Sequence, residues 1–407
     1  MLDHLIVIND FGFAAGGATS LALACALGVR RRGYRVTYVT SEGRVDPELE
    51  ASGVEVLLIP GAPITAEDRL AGAVNGLWRA RSAKILREIV DRYDGPGVVY
   101  HLHNWAHFLS PSIFPVLKSI EHRLALTAHD FFLVCPNGAQ YDFREERVCE
   151  LKGGSLACLS TNCDRRSGFD KYWRFTRHAF RSAAVSLRDL EARFVMIHPG
   201  LKPAMMRAGV PEHRIDDIRN PVRPFVPGER VAVEHNREVL FVGRLTHEKG
   251  PDLAAEAARR AGVTIRFVGD GPMREMLERS YPEAIFDGFL DRDSISARAR
   301  SARVAVMPGR WVEPYGMVAP EALWSGIPTI VSENAFLAPE IEKAGAGFSV
   351  DPRDTSDFAR AIGSIFSKDD LAKEMSDCAY MSTCHIGNTL SDWVDMHIKS
   401  YKLISFN

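Results

Sequence analysis

The stretch Arg303-Val-Ala-Val-Met-Pro308, continued by Glu313-Pro-Tyr-Gly-Met-Val-Ala-Pro-Glu321 and Ala322-Leu-Trp-Ser-Gly326, decides the architecture. Its first segment alternates apolar residues and predicts a buried strand; its last predicts a short helix ended by a glycine cap. Glu313 then lies in the loop beyond the strand's carboxyl end, and Glu321 a turn or so into the helix. The amides of Gly316, Met317 and Val318 would point out of the helix start, where backbone donors and the helix dipole favour an anion. Carboxylates able to grip sugar hydroxyls, beside amides able to hold a phosphate, suggest a nucleotide-sugar pocket.

Upstream, Glu238-Val-Leu-Phe-Val-Gly-Arg244 reads as another buried strand, with Gly243 at its end and Arg244, Lys249 and Gly250 in the loop behind it. Pro251 opens an amphipathic helix, Asp252–Ala261, since proline suits a first helical position. An arginine fork and a lysine point charge in one loop can clamp a diphosphate from two sides.

Strand–helix alternation runs through the whole chain. Strands are predicted at Leu5–Ile8, Arg35–Thr40, Val54–Ile59, Val98–Leu102 and Leu124–Ala128, with helices at Ala18–Arg32 and Trp78–Tyr93. After Asp217–Arg230, rich in Pro, Arg and Val, the pattern restarts. Strands follow at Val239–Val242, Thr264–Val268, Ala284–Asp287, Val304–Met307, Thr329–Val331 and Gly347–Val350. The alternation implies parallel sheets covered on both faces, and Asn220-Pro221, Pro224 and Pro227 suit a linker. At 407 residues the chain is long for one core, so two domains are expected. We place them at 1–222 and 223–387, with 388–407 as a terminal segment carrying the helix Asn388–Lys402.

Composition is ordinary for a soluble protein, with a formal charge of −2. Residues 1–222 carry 28 Lys+Arg against 25 Asp+Glu (+3), and the remainder 22 against 27 (−5). No nucleic-acid partner is expected from this balance, while the mildly basic first half suits anionic lipid or glycan. Asp3 and Asp10 around a short apolar run do not make a signal peptide, and Ala18–Val29 is too short to span a bilayer. A cytoplasmic protein is expected, peripheral to the inner face of the membrane through its N-terminal domain.

The Gly243-to-Gly250 loop, the turn Gly269-Asp-Gly-Pro272 and the element from Glu313 to Glu321 follow one another over about eighty residues. Together they resemble the C-terminal half of the family 4 retaining glycosyltransferases. The marks of that family are a Gly-Arg-x4-Lys-Gly loop, a Gly-x-Gly-Pro turn and a Glu-Pro-(Phe/Tyr)-Gly-x4-Glu element. The resemblance implies the GT-B fold, an α/β architecture of two doubly wound Rossmann-like domains facing a cleft, with the last helix crossing back to the first domain. It further implies a UDP- or GDP-sugar as co-substrate and a glycan or lipid-linked glycan acceptor in bacterial-type surface polysaccharide synthesis. Glu313 would hold the donor sugar and Glu321 the ribose. Gly269, Gly271, Pro272, Phe289 and Leu290 would face the nucleoside, and Gly243, Tyr315, Gly316, Met317 and Val318 would complete the pocket. Arg244 and Lys249 would meet the charge of the departing diphosphate, so no catalytic metal is expected. Asp291-Arg-Asp293 is read as a helix cap. Glu313 and Glu321 have different jobs in this reading and are not the nucleophile–acid pair of a retaining glycosidase, so a front-face mechanism is expected. A nucleotide-sugar epimerase of the same fold would turn over without acceptor; intact Arg244, Lys249, Glu313 and Glu321 argue against a silent binding subunit.

In the first half, Asn9-Asp10-Phe11-Gly12 and then Gly16-Gly17 open a helix after a strand, leaving amides for the donor. Their spacing differs from the dinucleotide fingerprint. Thr127-Ala-His129-Asp130 resembles the family's Thr-x-His-Asp segment, in which the histidine lies beside the transferred sugar. His101, His103 and Asp130 are assigned to the acceptor side, with His107 just past them. Cys135, Cys149, Cys158 and Cys163 fall within the loop 131–168, which at this length is either functional or needs a staple. In a reducing compartment four clustered thiols favour a structural zinc, although only the last pair has knuckle spacing.

Overall fold

The computed structural model describes residues 2–41, 43–64 and 69–404. The chain divides into two compact units, Met1–Arg219 with Leu390–Asn407, and Asn220–Thr389.

In the first unit the elements run β1 (His4–Asn9), α1 (Gly17–Arg31), β2 (Arg35–Thr40), β3 (Glu55–Leu58), α2 (Arg69–Leu77), α3 (Ala80–Tyr93), β4 (Val98–Leu102) and β5 (Leu124–Ala128). They continue through α4 (Gly168–Ala184), β6 (Arg193–Met196) and β7 (Ile215–Asp217). The strands form one parallel sheet in the order β3-β2-β1-β4-β5-β6-β7. Every residue of β1, β4 and β5 is buried, as expected for central parallel strands covered on both faces. The helix predicted over Trp78–Tyr93 starts only at Ala80. The Arg79 amide turns aside to donate to Ser110 Oγ at 2.8 Å, and its guanidinium to the Ala62 carbonyl at 3.1 Å. Strands β6 and β7 were not expected; β7, Ile215-Asp-Asp217, lacks an apolar pattern.

The final helix, Leu390–Ile404, belongs to this unit. Trp393, Val394, Ile398 and Tyr401 join Leu21, Cys25 and Val29 of α1 in one core. Gly28 permits this approach, since a Cβ there would collide with Val394.

In the second unit the elements are β8 (Glu238–Val242), α5 (Pro251–Ala261), β9 (Thr264–Val268), β10 (Ile285–Gly288), α6 (Arg292–Ala299), β11 (Ala302–Met307), α7 (Val318–Leu323), β12 (Thr329–Ser332) and β13 (Gly347–Val350). Its parallel sheet has the order β10-β9-β8-β11-β12-β13. Phe241, Phe267 and Phe286, on three neighbouring strands, pack ring to ring at 5.3 and 5.1 Å. In both sheets the winding reverses beside the first strand, with β1 between β2 and β4 and β8 between β9 and β11. Such a reversal opens a crevice at the strand carboxyl ends, where ligands of open α/β sheets bind.

Candidate active site

In the second unit the loops after β8, β9 and β11 meet at that reversal. Gly243 and Gly269 have φ of 154° and 136°. A Cβ on Gly269 would collide with the Gly243 backbone, and one on Gly271 with that of Leu245. The two loops are tied by Gly243 N to Val268 O at 2.9 Å and Leu245 N to Asp270 O at 2.9 Å. Gly250, at φ 67°, caps α5 against the Pro308 carbonyl, so the first loop also lies on the one after β11.

This packing joins Lys249 to Glu313. Their ion pair is largely buried, and Lys249 Nζ stands 5.6 Å from the Trp311 ring. Glu313 is held by its backbone, whose amide donates to Asn334 O at 3.2 Å and whose carbonyl accepts from Phe336 N at 3.1 Å. Arg244 is exposed, as is Pro272. Phe289, one residue past β10, exposes 88% of its surface, whereas Leu290 leans on the core.

Glu321 pairs with Arg292 at 3.1 Å, and the same guanidinium reaches the carbonyls of Pro224, at 2.9 Å, and Arg223. Burial outweighs Arg292 and pushes the Glu321 carboxyl up to about 7. Sequence reading missed Arg292, because its flanking aspartates signalled only a helix start. Asp291 does cap α6, accepting from Ser294 N at 2.8 Å.

Tyr315 turns its side chain inward: it is buried, with its hydroxyl 3.1 Å from Asn220 O and 2.9 Å from Ile386 O. The helix α7 has six residues, so its dipole is small. What it offers an anion is the orphan amides that precede its first turn, at Gly316, Met317 and Val318.

In the first unit Asp10 accepts from the amides of His107, Phe108 and Leu109 at 2.7, 3.1 and 2.9 Å, which anchors the loop after β4. Gly16 and Gly17 are exposed at the start of α1, and a Cβ on either would meet nothing within 4 Å. Crowding therefore does not explain these two glycines. His129 directly follows β5, and its Nε2 lies 2.9 Å from His103 Nδ1. Its Nδ1 is buried with no hydrogen-bond partner among the described residues. Burial pushes His129 down to about 3, leaving a neutral ring, and raises Asp130 to about 6. His103, His129 and Asp130 line one small cavity. His101 is fully buried, between Thr127 Oγ1 at 2.7 Å and Tyr401 Oη at 2.6 Å.

The cysteine loop is held by α4. Lys171, Arg177, His178 and Arg181 of this helix point inward and are buried. Arg177 donates to the carbonyls of Gly76, Ala106 and Leu109 at 2.9, 3.0 and 3.2 Å. Lys171 Nζ donates to Cys163 Sγ at 3.2 Å and Cys158 Sγ at 3.6 Å, and Cys135 bonds Asn137 at 3.1 Å. An ammonium thus stands against two of the four thiols expected to hold zinc, Cys158 and Cys163, with Cys149 also near enough to Cys163 to act on it electrostatically. The outward stripe of α4 is apolar instead: Phe169, Tyr172 and Phe180 are 64, 59 and 42% exposed. Leu70 and Val74 of α2 and Trp78 are also exposed, with Trp78 beside Phe180. No helix among the described residues is long and apolar enough to cross a membrane.

Residues 223–381 match the family described as Glycosyl transferases group 1. The chain is 31% identical over 341 residues to a GDP-mannose-dependent alpha-mannosyltransferase of Mycolicibacterium smegmatis, covering 81% of this chain and 79% of that protein. It is 31% identical over 153 residues to a glycogen synthase of Mycobacterium tuberculosis, covering 35% of this chain but only 37% of that relative's length. Its fold is similar to that of sucrose-phosphate synthase from Thermosynechococcus elongatus, at TM-score 0.73 and 17% identity over 100% of each chain. The chain is a member of the glycosyl transferases group 1 family and has the two Rossmann-like domains of the GT-B class.

Proposed function

We propose that this protein transfers a hexosyl group, with retention of configuration, from a nucleoside-diphosphate sugar to a glycan or lipid-linked glycan acceptor in surface polysaccharide synthesis. The observation that carries this reading is the bridge between Lys249 and Glu313 at the reversal of the second sheet. It sets a cation and a carboxylate side by side where a diphosphate and a sugar ring would lie side by side. Glu313 would accept hydrogen bonds from the sugar hydroxyls. Lys249, with the exposed Arg244 and the amides at Gly316–Val318, would take the charge that develops on the departing diphosphate. Glu321, oriented by Arg292, would hold the ribose, and Phe289, Leu290 and the Gly269–Pro272 turn would face the base. Neutral His129 would donate a hydrogen bond to the donor. No step requires a metal: the leaving group's charge is met by these donors, and the acceptor attacks from the face that the diphosphate leaves.

The exposed apolar stripe of α4 and α2, with Arg81 at the start of α3 and Arg165 and Arg166 just before α4 also exposed, favours a lipid-linked acceptor at the inner face of a membrane. The test is turnover of a panel of UDP-, GDP- and ADP-sugars with and without lipid-linked oligosaccharide acceptors, with the product anomer read by NMR. Acceptor-dependent release of nucleoside diphosphate with the donor's anomeric configuration supports the reading. Turnover without acceptor, or an inverted product, overturns it.

A further inference from the structure

Behind His129 the first unit gathers side chains that the transfer reaction does not use. Cys25 of α1 and His101 and His103 of β4 are all buried, and their ligand atoms lie within 4.8 Å of one another. His101 Nδ1 is 3.2 Å from His103 Nε2 and 3.9 Å from Cys25 Sγ. Around tetrahedral zinc, two nitrogens stand about 3.3 Å apart and a nitrogen and a sulfur about 3.6 Å apart, from the usual bond lengths. We propose that Cys25, His101 and His103 bind a borderline-soft divalent cation of the zinc type, with Tyr401 Oη beside the fourth position.

Two further observations point the same way. Histidines that bind a metal usually anchor their other ring nitrogen. Here His101 Nε2 lies 2.7 Å from Thr127 Oγ1, and His103 Nδ1 lies 2.9 Å from His129 Nε2. The inward nitrogen of His101 is oversubscribed as well. It faces Tyr401 Oη at 2.6 Å, His103 Nε2 at 3.2 Å and Cys25 Sγ at 3.9 Å, yet one ring nitrogen makes one hydrogen bond. A cation at the centre would serve all of these atoms as acceptors. The cavity lined by His103 and His129 offers a way in. On binding, the Cys25 thiol gives its proton to solvent and its sulfur electron pair to the cation.

A cation here ties α1, β4 and the final helix together. It also makes His103 Nδ1–H a donor to His129 Nε2, so that the remaining His129 proton sits on Nδ1; this consequence alone rests on the proposed function. Metal content is read without turnover, so failure of either idea leaves the other standing.

The test starts from chelator-treated full-length protein titrated with Zn(II), Co(II) or Cu(I), with bound metal measured by elemental analysis. About one equivalent per chain is expected for a closed protein site. The Co(II) form should show a thiolate-to-cobalt charge-transfer absorption. That absorption should be lost in Cys25→Ser and in His103→Gln, and kept in the double variant Cys158→Ser with Cys163→Ser. Wild-type protein that takes up no metal overturns the proposal, as does uptake of Cu(I) alone. An absorption that survives Cys25→Ser and disappears in the double variant also overturns it, by assigning the metal to the cysteine loop. Should neither single variant fold, wild-type stoichiometry and the spectrum of the double variant decide: a band kept there supports the Cys25 site, and a band lost there overturns it.

Discussion

Lys249 and Glu313, 64 positions apart, form an ion pair across two loops of the second unit. Neither residue type predicts the other along the chain. They meet because β8 and β11 are neighbours in the sheet although β9 and β10 come between them in sequence.

Removing either cation should weaken donor turnover by more than tenfold, since a hydrogen bond to an ionised group is worth about 1.5–3 kcal/mol. The two variants should differ in stability. Arg244→Ala removes an exposed side chain and should keep the wild-type Tm. Lys249→Ala strips the counter-ion from a largely buried carboxylate and should lower it, at a cost of about 1–3 kcal/mol. Steady-state kinetics and thermal denaturation check both. Wild-type turnover in both variants would refute this placement of the diphosphate.

Glu313→Gln should impair transfer and sugar discrimination while the affinity for free nucleoside diphosphate stays within about threefold, under 1 kcal/mol. Glu321→Gln should weaken the nucleotide as well, because its proposed partner is the ribose. Calorimetric titration of both variants separates these roles; equal losses of nucleotide affinity would contradict the division.

The raised Glu321 carboxyl makes donor binding depend on pH. A ribose hydroxyl donates best to the ionised form, so nucleotide affinity should rise as pH climbs from 5.5 through about 7 and level off only above it. Folding stability responds in the opposite sense. The folded value exceeds the unfolded one, so the contribution of Glu321 is full below about 4.5 and is lost as pH rises through about 7. Glu321→Gln should flatten both profiles. A nucleotide Kd that is independent of pH in the wild type would exclude a carboxyl titrating at this position.

Glycines of the two units should respond unequally to alanine. Gly269→Ala forces a side chain onto φ 136° and into the Gly243 backbone, so a loss of about 2 kcal/mol or more is expected, with loss of nucleotide binding. Gly16→Ala meets open space at an extended φ of 171°, and its denaturation midpoint should match the wild type. Urea titration of both proteins tests the contrast.

The outward stripe of α4 should bind anionic bilayers. Co-sedimentation with phosphatidylglycerol vesicles should fall at least fivefold in Phe169→Ser with Tyr172→Ser, and should fall with salt as basic residues are screened. Binding that is equal to neutral vesicles and unchanged in the variant would remove the membrane from the reading.

The overall alternation was legible because buried parallel strands are continuous apolar runs and the helices between them are amphipathic. Gly243, Gly269 and Gly316 could be singled out because their loops need backbone shapes or clearances that a side chain would forbid. The break at Arg79 was not legible, since it depends on Ser110 and Ala62, which local periodicity does not report. Nor was the inward turn of Lys171 onto Cys158 and Cys163, since its charge alone would place it in solvent.

The amino-acid sequence by itself determined two parallel α/β units, their glycine-bearing loops and the residue types at the strand ends, because each is written in local pattern and turn chemistry. Only tertiary structure decided which of those residues meet. Sheet order set Glu313 on Lys249, the start of α6 set Arg292 on Glu321, and the final helix brought Tyr401 to His101. It also turned the charges of α4 inward, where the carbonyls of Gly76, Ala106 and Leu109 and the thiols of Cys158 and Cys163 hold them. A charged side chain can lie inside when distant backbone groups supply its hydrogen bonds, and those partners belong to the fold rather than to the helix that carries it.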